Sequence, residues 1–167
     1  MAFTRGFTLD SHFAPFARAA RAGGDAVVVV SEGFDFYVGD LLERAGLTDL
    51  PWSANVARFE GGRVVPEFSD AVDGCGHCGN CKGAHVRAWR SRDYRTVLIG
   101  DGFSDRCGAR EADHVLARRD LLAWCREQGI DATPFESFAD VFQYMNRDRV
   151  GTRPASEPPA EAGCPGD

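Results

Sequence analysis

The chain is almost without lysine. Lys82 is the one lysine among its 19 cationic residues, and the other 18 are arginine. No basic run occurs and the formal net charge is −6, so the chain lacks the cationic surface that a general nucleic-acid binder needs for phosphate contacts. A single anionic ligand is not excluded, because local charge decides that. No apolar run exceeds five residues, as in Ala26–Val30, far short of the ~20 that cross a bilayer. No charged segment followed by an apolar stretch opens the chain, and the expectation is a cytoplasmic protein without a secretory leader. In that compartment six cysteines read as thiols or metal ligands rather than disulfides.

What is present is globular. The chain has 167 residues, 44% of them apolar, enough for one domain with a core that needs no disulfide staples. Helical spacing over Phe7–Ala22, with Asp10 or Ser11 as cap, is followed by Gly23-Gly24 and the β-branched run Ala26–Val30, a strand ending in Ser31-Glu32-Gly33. A helix is expected over Phe36–Ala45 with Gly46 as its stop, then a β-hairpin within 55–68 turning at Gly61-Gly62. Three cysteines precede a helix from Lys82 through Trp89. A strand over Thr96–Ile99, a helix over Asp105–Ala112, a strand over His114–Ala117 and helices over Arg119–Gln128 and Phe138–Met145 complete the domain, 1–147. The Pro-, Glu-, Ala- and Gly-rich stretch 148–167 reads as a disordered tail. Strands alternating with helices define an α/β class with a mainly parallel sheet, whose binding sites lie at the carboxyl ends of strands.

The segment Val97–Asp105, VLIGDGFSD, is the sharpest local signal. Val97-Leu98-Ile99 reads as a strand covered on both faces, and Gly100 and Gly102 would let the backbone turn beside Asp101. Asp101 and Asp105 together suit a hard cation such as Mg²⁺. They equally suit a strand–helix junction in which Asp105 starts the helix.

Taken in order, the strand-end Ser31, the lone Lys82 and the Gly100-Asp101-Gly102-Phe103-Ser104-Asp105 loop resemble the haloacid dehalogenase superfamily of phosphohydrolases, in its phosphoserine phosphatase-like branch. The cysteine-rich Cys75-Gly76-His77-Cys78-Gly79-Asn80-Cys81-Lys82 segment is similar to that of the methionine-salvage enol-phosphate phosphatases. The resemblance covers roughly residues 7 to 145. It implies a Rossmannoid three-layer fold and Mg²⁺-dependent hydrolysis of a small phosphomonoester. Ser31, with the amides of Glu32 and Gly33, would hold a phosphate oxygen. Lys82 would neutralise charge between phosphate and nucleophile, Asp101 would ligate Mg²⁺ and Asp105 would support the metal site.

One part of that pattern is missing. The family's nucleophile and its general acid/base are the two aspartates of a DxDx(T/V) motif on the first strand, and no Asp-x-Asp occurs anywhere in the chain. The first strand and usual cap are therefore expected to be absent, which leaves the strands at Ala26–Val30 and Thr96–Ile99 to pair directly or to expose apolar edges. Three readings follow: a fragment or mis-assigned start of a longer phosphatase, a subunit whose first strand comes from another polypeptide or by self-association, or a non-catalytic module that retains anion or metal binding. Little or no turnover is expected of the chain alone.

Cys75, Cys78 and Cys81 stand at metal-like spacing. They fit either zinc, with His77, His85 or Cys107 as fourth ligand, or packed and reactive thiols in a glycine-rich loop. His12 and His114 read as surface or core histidines. Trp52, Trp89 and Trp124 read as packing residues, and Arg118 and Arg119 as solvated surface, with contact to an anionic substrate as the alternative.

Overall fold

The computed structural model describes residues 6–68 and 75–148. The tail expected over 148–167 lies outside them except for Asp148, the last residue of the final helix. The chain divides into two compact units. One comprises the described residues of Met1–Val29, Gly39–Ser53 and Ser137–Asp167, and the other Val30–Val38 with Ala54–Glu136.

In the first unit, α1 (Phe13–Ala22) buries Phe13, Phe16, Ala17 and Ala20, the i, i+3, i+4, i+7 face of an amphipathic helix. The helix starts later than its periodicity suggests, and neither Asp10 nor Ser11 caps it. His12 holds the N-cap position without a side-chain bond. The Asp10 carboxylate instead accepts the His12 N–H at 2.8 Å and the Phe138 N–H at 3.2 Å. Phe138 opens α6 (Phe138–Asp148) and stacks its ring edge-on against Phe13 at 4.9 Å. The Ser137 hydroxyl accepts the Ala139 N–H, and the Asp140 carboxylate accepts the Ser137 N–H, a reciprocal cap that fixes where α6 begins. α2 (Asp35–Arg44) runs to the expected stop at Gly46. Trp52, expected to pack, is 40% exposed.

The second unit carries two small sheets. β1 (Val29–Phe34), β2 (Trp52–Glu60) and β3 (Arg63–Glu67) form one in that order. β2 and β3 are antiparallel, with Glu60 opposite Arg63 and Val56 opposite Glu67. Gly61 and Gly62 both take positive φ, 55° and 77°, as a two-residue hairpin turn requires. Phe59, Val64 and Phe68 stand exposed on this hairpin. The other sheet is all parallel: β4 (Val97–Gly100), β5 (His114–Ala117) and the two-residue β6 (Thr133–Pro134). β6 escaped the sequence reading because two residues carry no periodicity. α3 (Lys82–Arg90), α4 (Arg106–Glu111) and α5 (Arg119–Gln128) complete the unit. Leu98, Ala109, Val115, Ala117, Leu121, Trp124 and Cys125 form its core.

β1 and β4 belong to different sheets, and each is the terminal strand of its own. They neither pair with one another nor bury as β-branched central strands do. Every residue of β1 is half-buried, and of β4 only Leu98 is buried. The expectation that Val97–Ile99 is covered on both faces is corrected for that reason.

Candidate active site

The acidic loop is organised by Asp105, which is 4% exposed. Its Oδ2 accepts the backbone N–H groups of Asp101 and Gly102, both at 2.9 Å, and its Oδ1 receives the Lys82 ammonium. Lys82 Nζ donates also to Ser104 Oγ at 3.0 Å. Both carboxylate oxygens of Asp105 are thus engaged, and its role is to hold the loop and the ammonium. A single 3₁₀ turn, Phe103–Asp105, leads directly into α4.

Close approach, not turn geometry, explains Gly100. A Cβ there would lie 2.5 Å from Asp105 Cγ, whereas one on Gly102 would meet nothing within 4 Å. Gly102, with φ −134°, is ordinary extended backbone, which corrects the tight-turn role read for it. Gly100→Ala is expected to cost about 1–3 kcal/mol in a urea melt, because it must push the Asp105 carboxyl off its amides.

Asp101 is 42% exposed at the carboxyl end of β4. Its Oδ2 faces Arg118 Nη2 at 3.5 Å and Arg119 Nη1 at 3.4 Å. Arg118 is more than the solvated surface expected of it, whereas Arg119, 71% exposed, is largely solvated as expected. Arg118 also stacks over Phe135 at 5.1 Å and donates to the Glu136 carbonyl at 2.9 Å. Arg119 holds a positive φ of 50°, a strained conformation for a residue with a side chain. For Mg²⁺, the described residues around Asp101 supply one outward carboxylate and two cations. Mg²⁺ takes one or two carboxylates together with waters and phosphate oxygens, and Asp101 is the carboxylate of this loop that would be available to it.

Ser31 does not end its strand. β1 continues to Phe34 because side-chain amides hold the backbone extended: Asn80 Nδ2 donates to the Ser31 carbonyl at 2.9 Å and Asn55 Nδ2 to the Glu32 carbonyl at 2.8 Å. The Ser31 hydroxyl accepts the Gly33 N–H at 3.0 Å, so two groups expected on a phosphate meet each other. Asn55 and Asn80, 2% and 1% exposed, were missed by the sequence reading. Their signal was weak: Asn80, between Gly79 and Cys81, reads first as a loop residue, and Asn55 falls at the start of the hairpin stretch.

His85 Nε2 donates to Asn80 Oδ1 at 2.8 Å, and burial lowers the His85 pKa from its ordinary 6.5. Below that value the unfolded chain takes up a proton that the folded chain refuses. Stability is therefore full above about pH 6.5 and falls as pH drops toward the folded pKa. Urea midpoints at about pH 7.5 and about pH 5.5 should show this loss in the native chain and a smaller one in His85→Gln.

Four cysteines converge beside this site. The sulfurs of Cys75, Cys78, Cys81 and Cys107 all lie within 4.8 Å of one another, with Cys75–Cys78 at 3.2 Å and Cys78–Cys107 at 3.8 Å. None is in a disulfide. The hydrogen bond with Cys78 pulls Cys75 down to about 6. Burial pushes Cys107 up to about 11, and burial with the neighbouring Cys75 and Glu32 pushes Cys78 upward too. Cys81, fully buried, immediately precedes Lys82. Of the other candidates, Trp89 packs on Tyr94 and Trp124 is covered by Arg106 and Arg110. His114 meets Arg95.

A parallel sheet thus presents Asp101 at a strand end beside the buried Lys82–Asp105 pair. The family model for haloacid dehalogenase-like hydrolases matches residues 2–110, and the chain belongs to that family. Among its relatives, 2-hydroxy-3-keto-5-methylthiopentenyl-1-phosphate phosphatase of Exiguobacterium sibiricum is 34% identical over 133 residues, 78% of this chain and 60% of the relative. The protein of the same name from Geobacillus kaustophilus is 35% identical over 145 residues, covering 85% and 65%. Two solved structures share the fold. A phospho-aspartyl intermediate analogue of phosphoserine phosphatase has TM-score 0.61 at 20% identity, over 84% of this chain and 66% of that one. A probable phosphoserine phosphatase from Vibrio cholerae has TM-score 0.63 at 18% identity, over 88% and 45%. The chain spans a little under two thirds of the length of these curated relatives. No helix of the described residues is long and apolar enough to cross a membrane.

Proposed function

We propose that this chain carries the lysine–aspartate half of a Mg²⁺-dependent phosphomonoesterase site, and that it turns over little or nothing until an aspartate-bearing strand completes it. The buried Lys82–Asp105 pair beneath the outward Asp101 carries the reading. Phosphoryl transfer depends on cations placed against spread negative charge. Lys82, fixed by Asp105 and Ser104, would supply one such cation. Asp101 would ligate Mg²⁺ once a second carboxylate joins it, and the ion would then polarise the phosphoryl group. In that arrangement Arg118 and Arg119 pass from Asp101 to an anionic substrate. Ser31 and the amides of Glu32 and Gly33 remain the proposed phosphate cradle, which requires the Ser31 hydroxyl to release the Gly33 amide.

The nucleophile must come from outside the described residues, since no Asp-x-Asp occurs in the sequence. The unpaired sides of β1 and β4 favour a strand as its carrier, from a further segment of the polypeptide or from another chain, since a second copy of this sequence has no Asp-x-Asp either. The substrate class is a small phosphorylated metabolite, and the relatives' enol phosphate is the first to try. A second reading, a non-catalytic anion-binding module, is favoured by one observation: both arginines already sit on Asp101. The test is magnesium-dependent hydrolysis of an aryl phosphate, with and without a supplied first-strand segment bearing DxDx(T/V). Activity that appears with the segment and vanishes in Asp101→Asn supports the enzyme. Continued inactivity favours the module.

A further inference from the structure

We propose that Cys75, Cys78, Cys81 and Cys107 bind one structural zinc ion, which pins the start of α3 to the start of α4 and so holds Lys82 against Asp105. Four thiolates about 2.3 Å from a tetrahedral zinc stand roughly 3.8 Å from one another. The four sulfurs here lie within 4.8 Å, and the Cys78–Cys107 pair stands at 3.8 Å. A redox pair needs two sulfurs, but here four converge, and the fourth comes from a different element. Cys75–Cys81 is one loop leading into α3, whereas Cys107 lies on α4. Two of the three partners weighed for the fourth place, His77 and His85, are not in the cluster.

The backbone is shaped for the approach of the four sulfurs. Gly76, between Cys75 and Cys78, has φ +75°, and a Cβ on Gly83 would lie 2.9 Å from the Cys107 carbonyl oxygen. Gly83 thus lets α3 close on α4 at the cluster.

Position gives the site its use. Cys81 is the residue before Lys82, and Cys107 is two residues after Asp105. An ion joining Cys81 to Cys107 therefore sets the spacing of the ammonium and the carboxylate, as shells around functional groups commonly do. This positioning role rests on the reading of Lys82 and Asp105 given above, whereas binding of the ion does not.

The experiment is metal analysis of the untagged full chain purified without chelator, followed by cobalt exchange. The expected result is about one equivalent of zinc per chain, and thiolate-to-cobalt absorption typical of a tetrahedral site after exchange. Cys107→Ser should hold at least roughly tenfold less zinc, and Cys125→Ala, which loses a buried thiol outside the cluster, should hold as much as the native chain. If Cys107→Ser does not fold, Cys75→Ser, altered at an exposed loop residue, serves in its place. Less than about one-tenth of an equivalent in a chain with native circular dichroism would overturn the site. So would stoichiometric iron, a Cys75–Cys78 disulfide, or full zinc in the serine variant. Hydrogen exchange tests the positioning role separately. Chelation should speed exchange at 82–85 and 105–108, and unchanged exchange in demetallated protein overturns that role while leaving the ion.

Discussion

Replacing Asp105 with alanine should destabilise the chain by about 3–5 kcal/mol, the usual cost of removing one partner from a buried ion pair. The side chains of Lys82 and Asp105 are only 13% and 6% exposed, so water cannot take over the abandoned ammonium. The loss is compound. The N–H groups of Asp101 and Gly102 lose their shared acceptor, and Lys82 keeps the Ser104 hydroxyl as its partner among the described residues. For a chain of this size the melting temperature should fall by roughly 6–20 °C. Asp101→Ala is the contrast. Its carboxylate is 42% exposed and its arginine contacts are long, so its effect on stability should stay within about 0.5 kcal/mol. A urea series on the two variants checks both. Equal destabilisation by the two would show that Asp105 is no more structural than Asp101, and would remove the reason to assign them different roles.

That division of labour between two aspartates was only partly legible in the sequence. The spacing from Asp101 to Asp105 marked both as site residues, and a supporting role for Asp105 came from resemblance alone. What no spacing shows is that Asp105 turns inward, because that depends on Gly100 leaving room for its carboxyl group. Elements with strong local signals were read well. The Gly61-Gly62 turn and the helix start at Lys82 both carry their own chemistry. Features set by remote partners were not. Ser31 looked like a strand terminus because Ser-Glu-Gly resembles a turn, yet Asn55 and Asn80, 24 and 49 residues away, draw its segment into β1. Cys107 was one of three options for the cysteine cluster, and only the packing of α4 against α3 distinguishes it. Of the two outcomes expected for β1 and β4, direct pairing or unpaired edges, the structure has the second. Alternating strands and helices announce a parallel sheet but do not say that two of its strands remain apart.

That separation sets up the second large effect. If the two strand edges accept an aspartate-bearing strand, the chain fused to or mixed with such a segment should hydrolyse an aryl phosphate at least about 10³-fold faster than the chain alone. The reason is chemical. Covalent phosphohydrolysis splits a difficult displacement into two easier ones only if a carboxylate is aligned with the phosphorus, and the outward carboxylate here, Asp101, is the one proposed to ligate the metal. The supplied strand would bring the nucleophile, the acid/base and the second metal carboxylate together. Changing its first aspartate to asparagine should therefore return the rate to background. Within the completed protein, Lys82→Met should lower kcat by about 10²–10³-fold, the effect of removing one preorganised charge from a phosphoryl-transfer site. Its stability should be read alongside, because Asp105 is then the buried charge left unpaired. Adding back a soluble alkylamine separates the two effects: partial recovery of rate without recovery of stability assigns the ammonium to the reaction. Recovery of neither makes Lys82 a structural counter-ion of Asp105, and the arginines at Asp101 then become the principal cations of an anion-binding module.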